Sequence, residues 1–436
     1  MIFGAFFLHT LFFVSLLYLT NFRKNYFNPV YFLLYANYFY FFILWILWYF
    51  VDKSYVHSYQ YGYYLTLLHG MGLVLGVVYS QNFNKQVIHK ISQFIPSSKF
   101  ENISSSIIFI LFLLISFFII YITYDIYQTL NPLEILIKIE SSKQLGTVYT
   151  SGLMYFIKPF QLLVVFLFCF LVFRAYQENK KFYIFFALII FVTLSFALGS
   201  KSMVIFPIFY IFMIRHNFFK KVKLSHIVFS GLLILLFIPL LELIRQDLFY
   251  SIDNVIIAII KTLVGRINME LYLTEFLNKS FYSLEYPNSL YHFATYFIPR
   301  ELLENIGISD KPIPFGLAYT RYVTDRPDVY MTVAGTGIAE WIQNFSIFGS
   351  EYLIYLGILL GGLISGMING ILYLIIKQSI FFMQETKFIV ILIFIHIGTF
   401  FEFGFSSTIG TIETILSLLC IVVITNVFII NKKVKV

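Results

Sequence analysis

Lysine outnumbers arginine 22 to 8 in this chain, yet five of the eight arginines fall within residues 242–350: Arg245, Arg266, Arg300, Arg321 and Arg326. A planar guanidinium can hold a phosphate or carboxylate through two parallel hydrogen bonds, which a lysine ammonium cannot. Arginine gathered where the chain otherwise uses lysine therefore points to an anionic ligand, with a phosphorylated one as the first reading. The same stretch carries twelve Asp and Glu against eight Lys and Arg. Pairing with its own acids is thus the competing reading, and Asp325 and Asp328 flank Arg326 directly. Lys201 stands in "ALGSKSMVIF", a polar break between two short apolar runs. It would contact a phosphate there, or simply occupy a turn. His292 is the one histidine of 242–350, and an imidazole with an ordinary pKa of about 6.5 suits a general base as well as a structural role. Glu340, beside Trp341 in "IAEW", would serve as a base or as a partner for an arginine.

Several chemistries have no signal. The sequence holds no phosphate-binding glycine loop, no zinc-type Cys/His spacing, no GxSxG and no Asp-rich metal motif. An ATPase, a metalloenzyme and a serine hydrolase are therefore not indicated, and no cofactor is expected. Cys169 and Cys420 both lie in apolar runs and suggest neither a disulfide framework nor a metal site.

The elements that must position these residues are membrane helices. The chain has 436 residues, 59% of them hydrophobic and 12% charged, with a mean hydropathy of +0.83. A water-soluble protein of this length needs a more polar surface. A bilayer span takes roughly 20 apolar residues. Apolar runs lie near 2–20, 30–51, 61–80, 106–124, 153–173, 182–198, 202–214, 226–241, 351–376, 388–401 and 414–430. The expectation is an all-α polytopic membrane protein of about eleven helices (ten to twelve), folded as one integral membrane domain over 1–436. The first run lacks a basic leader and a small-residue cleavage site, so it reads as a membrane helix.

Lysine and arginine mark the cytoplasmic loops of membrane proteins. Basic residues follow the first run (Arg23, Lys24), the third (Lys85, Lys90, Lys99), the fifth (Arg174, Lys180, Lys181), the seventh (Arg215, Lys220, Lys221, Lys223) and the ninth (Lys377, Lys387). Lys432, Lys433 and Lys435 close the chain. Every second connection is basic, which places the N-terminus outside and the C-terminus inside. This distribution accounts for most of the net charge of +8 without a nucleic-acid partner.

Residues 242–350 then face outward as one large loop. It opens with helical spacing at Ile256, Ile257, Ile260, Leu263 and Val264, which reads as an amphipathic or re-entrant helix. Pro287, Pro299, Pro312, Pro314 and Pro327 then break any long helix. After the loop, Gly357, Gly361, Gly362, Gly366 and Gly370 recur at four-residue spacing, the pattern by which one membrane helix packs closely on another.

Three segments resemble the Wzy-type oligosaccharide repeat-unit polymerases, the O-antigen and capsule polymerases. "LGSKSMVIFPIFYIF" is similar to that family's outward break between two spans, with Lys201 at the family's arginine position. "KTLVGRINM" resembles its helix bearing a single arginine. "GTGIAEWIQNFSIFGS" resembles its segment of Gly, Ala-Glu and Asn-Phe-Gly before a glycine-rich span, although here Gly349 stands apart from Asn344 and Phe345. Arg326 and Gly337 are separated by ten residues, another spacing found in the family. The architecture of many spans and one late outward loop is similar as well.

The resemblance implies a glycosyltransferase on the outer face of a bacterial cytoplasmic (inner) membrane, making O-antigen, capsule or exopolysaccharide. It would take polyprenyl-pyrophosphate-linked oligosaccharide, need no metal or ATP, and work beside a chain-length regulator and a flippase. Arg266, Arg321 and Arg326 would bind the pyrophosphate, Arg245, Arg300, Lys201 and Gly337 would assist in substrate binding, and His292 or Glu340 would act as base. An O-antigen ligase shares the architecture and donor, and a loop histidine suits it. A flippase would instead call for internal repeats and charges within the spans, and neither is evident in the sequence. A scaffold role in a polysaccharide assembly complex would leave the arginines without a task.

Overall fold

The computed structural model describes residues 2–19, 56–82, 103–129, 154–198, 202–223, 300–307 and 350–397, with isolated positions between them. Among the described residues there is helix and turn but no strand. The helices are α1 (Ile2–Leu19), α2 (Val56–Gln81), α3 (Ser105–Tyr127), α4 (Met154–Gln177), α5 (Phe182–Leu198), α6 (Ser202–Ile214), α7 (Arg300–Asn305), α8 (Glu351–Phe381) and α9 (Glu385–Ile397). A π-helical turn, Arg215–Phe219, continues α6. Eight of the eleven apolar runs fall on these helices; the runs near 30–51 and 414–430, nearly all of that near 226–241 and most of 242–350 lie outside the described residues. Among the described residues three stretches, Ser105–Ile126, Phe160–Gln177 and Glu351–Phe381, are long and apolar enough to cross a membrane, while Leu67–Gln81 and Phe182–Leu194 are apolar but shorter.

The chain divides into two compact units. Unit 1 comprises Met1–Ile88, Leu263–Leu374 and Gly398–Ile412, and unit 2 comprises His89–Thr262, Ile375–Ile397 and Glu413–Val436. Helix α8 is continuous through the boundary after Leu374. In unit 1, α1 lies against α2, with Phe13 and Leu17 packed on the buried Leu73 and Val77, joined by Tyr373 of α8.

Unit 2 is built around α4. Every residue from Val164 to Phe173 is buried, as expected of a helix that is apolar all round. Helices α3, α5, α6 and α9 surround it. Phe112, Phe168 and Phe191, from α3, α4 and α5, meet at centroid separations of 6.2, 5.5 and 4.8 Å. The outer side of α3 is different: Ile107, Ile110, Leu114, Phe117 and Tyr121 are exposed. Water penalises such a surface and lipid does not. In lipid the helices gain little by hiding apolar side chains from one another, so close packing and hydrogen bonds decide which faces meet.

Two tight reversals close the helix pairs of unit 2. Between α4 and α5 the Lys180 N–H reaches the Ala175 carbonyl (2.8 Å), and between α8 and α9 the Gln384 N–H reaches that of Ser379 (2.8 Å). Both are helix C-caps with a left-handed residue, Asn179 (φ 57°) and Met383 (φ 53°). Asn tolerates that conformation; Met383 holds it at a cost of about 1 kcal/mol.

Candidate functional site

Four connections meet at one end of unit 2: the start of α3, the end of α4, the π turn after α6, and the start of α9. At the first junction Glu178 reaches the first turn of α3. Its Oε1 accepts the Ser105 N–H (2.9 Å) and its Oε2 accepts the Ser105 hydroxyl (2.7 Å). Ser104, at the N-cap position, offers no side-chain bond, so a carboxylate from α4's end fills that role. The negative charge also faces the positive end of the helix dipole. Lys180 donates to the same Oε2 (2.9 Å). The Ser105 hydroxyl, followed by Lys180, holds the Glu178 carboxyl at a pKa of about 2, so it is ionised throughout the neutral range.

At the second junction α4 is tied to α9. Arg174 Nη2 lies 3.2 Å from Glu385 Oε2, and Gln177 Nε2 donates to Glu385 Oε1 (3.1 Å). Arg174 Nη1 also donates to Gln177 Oε1. The Arg174 and Glu385 side chains are 13% and 11% exposed, a poorly solvated setting in which losing one partner is costly. The rings of Phe173, Phe218 and Phe388 meet edge to face near these residues, with centroids 4.7 and 4.9 Å apart. At the third junction His216, buried in the π turn, accepts the Val222 N–H at Nδ1 (3.1 Å). Burial and, after it, Lys221 lower its pKa, against the opposing effect of the Val222 bond. It is therefore neutral at pH 7. These connections follow the third, fifth, seventh and ninth apolar runs, the positions read as basic loops. Both carboxylates here are occupied by donors, which suits them to fixing helix ends and not to moving protons.

Unit 1 presents a helix crossing without side chains. A Cβ placed on Gly72 or Gly76 of α2 would lie 2.8 Å from the Leu363 nitrogen and 2.6 Å from the Met367 nitrogen of α8. One placed on Gly362 or Gly366 would lie 3.0 Å from the His69 carbonyl carbon and 2.8 Å from that of Leu73. The glycine ladder of α8 thus packs backbone to backbone on α2, and the other glycines of the ladder meet side chains. Trp341 covers Gly361, Phe345 covers Gly357, and the Ser80 side chain faces Gly370. Trp341 and Asn344, from the segment resembling the polymerases, are buried. One buried polar atom is left over in α8: Asn369 donates to the Ser365 carbonyl (3.0 Å), while its Oδ1 has no partner.

The residues singled out for anion binding and acid–base chemistry, Arg245, Arg266, His292, Arg321, Arg326, Gly337, Glu340 and Lys201, lie outside the described residues. Arg300 opens α7, where only its backbone is described. Among the described residues no group of three or more His, Cys, Asp or Glu is placed to hold a metal. Sequence reading did not find the Glu178–Ser105 cap, and no local pattern announces a bond across 73 residues. It found the glycines of α8 but not their partners, although "GMGLVLG" in α2 carries Gly72 and Gly76 at the same four-residue spacing. No protein-family model, curated protein or solved structure matches the chain.

Proposed function

We propose that this chain polymerises polyprenyl-pyrophosphate-linked oligosaccharide units into surface polysaccharide on the outer face of a bacterial cytoplasmic membrane. The observation that carries the reading is the placement of five of eight arginines within 242–350, in a chain that prefers lysine elsewhere. The resemblance of three segments to the Wzy-type polymerases supports it. So does the all-helical character of the described residues, three stretches of which are long and apolar enough to cross a membrane. In this reaction the acceptor sugar hydroxyl attacks the anomeric carbon of the donor glycan. The bond to pyrophosphate breaks, and the base, His292 or Glu340, takes the hydroxyl proton. Arg266, Arg321 and Arg326 stabilise the charge that develops on the departing pyrophosphate, with Arg245, Arg300, Lys201 and Gly337 holding substrate. Fixed donors aimed at a leaving group are worth about 10²–10³ in rate each.

The test is deletion of the gene in its own host, with surface glycan and lipid-linked intermediates resolved by size. A polymerase leaves single repeat units and no ladder of longer chains. Complementation with Arg326→Ala and Arg326→Lys should then fail or yield at most short chains. Unchanged polymer length and yield with both variants would remove Arg326 from the site. The second reading, an O-antigen ligase, rests on His292. It gives long polymer that stays on its lipid carrier. Accumulation of cytoplasm-facing single units would identify a flippase, and an unchanged glycan profile a scaffold.

A further inference from the structure

We infer that the polar end of unit 2 is a binding surface for the phosphate headgroups of anionic phospholipids. The argument begins with how the acids there are used. Glu178 is taken by Lys180 and Ser105, and Glu385 by Arg174 and Gln177. Five further cations, Lys181, Arg215, Lys220, Lys221 and Lys223, form no ion pair among the described residues. They are not scattered. Lys181 Nζ stands 6.0 Å from the centre of the Tyr176 ring, Arg215 approaches the Tyr176 hydroxyl, and the ring of Phe219 lies 5.2 Å from that of Tyr176. Lys220 follows directly, its N–H bonded to the Arg215 carbonyl (2.8 Å).

Charge alone would suit any anion, but the surroundings narrow the choice. Phe182, Phe219, Phe382 and Met383 are exposed at the same helix ends, at 52, 40, 57 and 59%. A soluble anion makes no use of exposed apolar side chains beside the cations. A headgroup layer does: the cations meet phosphodiester oxygens while the rings enter the boundary between headgroups and acyl chains. Lys and Arg near an anionic leaflet each contribute about fivefold to association. The inference stands apart from the polymerase reading and needs only that this end lies at a membrane surface.

The full chain in mild detergent is titrated with a fluorescent short-chain phosphatidylglycerol and with the matching phosphatidylcholine. Preference for the anionic lipid is expected. Lys220→Gln/Lys221→Gln/Lys223→Gln should weaken its binding at least tenfold, and the same three positions changed to Arg should retain it. Lys261→Gln/Lys279→Gln/Lys311→Gln removes equal charge from 242–350, the segment read as facing outward, and should change binding less than twofold. Equal binding of the two lipids, or equal losses in the two glutamine variants, would overturn the inference. Displacement by millimolar inorganic phosphate, with glycerol phosphate binding as tightly as the lipid, would assign the cations to a soluble anion and overturn the lipid source.

Discussion

The crossing of α2 and α8 permits a test in which one substitution can be relieved and a similar one cannot. Alanine at Gly366 brings a Cβ to within 2.8 Å of the Leu73 carbonyl carbon, where ordinary contact begins at 3.4 Å. The obstacle is backbone, so no trimming of Leu73 makes room. The helices must part by roughly 1 Å, a gap that forfeits a quarter to a half of each dispersion contact. Overpacking penalties of this kind run at about 1–3 kcal/mol. The better helix propensity of alanine returns about 0.5–1 kcal/mol. Net destabilisation by about 1–2 kcal/mol follows, a shift of about 1–2 °C in the thermal midpoint of a chain this long. Gly370→Ala meets the Ser80 side chain instead. Ser80→Gly removes that obstacle, and the next nearest atom is the Val77 carbonyl oxygen, 3.4 Å away. The assay is monodispersity of the detergent-solubilised chain after a temperature series. Gly366→Ala should melt early with or without Leu73→Ala. Gly370→Ala should melt early alone and recover when combined with Ser80→Gly. Gly4→Ala, with nothing within 4 Å, should be silent. If Gly366→Ala matched Gly4→Ala, or Leu73→Ala restored it, the backbone contact would be wrong.

Glu178→Gln should alter acid stability. The folded carboxyl titrates near 2 against an ordinary 4.5, so its contribution is present above pH 4.5 and is lost as pH falls toward 2. Screening of a side chain that is 26% exposed limits the effect to about 1 kcal/mol. The stability difference between wild type and variant, measured from pH 6 to 2.5, should shrink toward zero at the acid end. Arg174→Ala or Glu385→Ala alone should cost about 3 kcal/mol, because each strands a poorly solvated charge. The double variant should cost clearly less than the two together. Strict additivity in that cycle would show that the pair is not coupled.

Much of the architecture was legible in the sequence because apolar length and period are local properties. The runs at 106–124 and 182–198 became α3 and α5 within a few residues. The basic residues of these connections could be read along the chain, but the meeting of the ends around Ser105, Glu178, Phe219 and Glu385 is tertiary. The four-residue glycine spacing of α8 announced a close neighbour, but choosing α2 as that neighbour takes a three-dimensional fit. Met383 was invisible in another way: a methionine in a left-handed turn departs from local preference, and "FFMQE" carries no turn signal. The candidate chemistry was legible only as residue types. Arginine enrichment can be counted along a chain, while convergence of Arg266, Arg321 and Arg326 on one pyrophosphate is a matter of geometry among residues outside those described.

The Glu178 cap has a consequence for assembly. Helix α3 begins 73 residues before the carboxylate that satisfies its first turn. Until the chain has been made through Glu178, the opening N–H groups of α3 lack that partner, because Ser104 offers no side-chain bond. Glu178 and Lys180 flank the reversal at Asn179, so the cap of one helix is completed together with the turn that ends another.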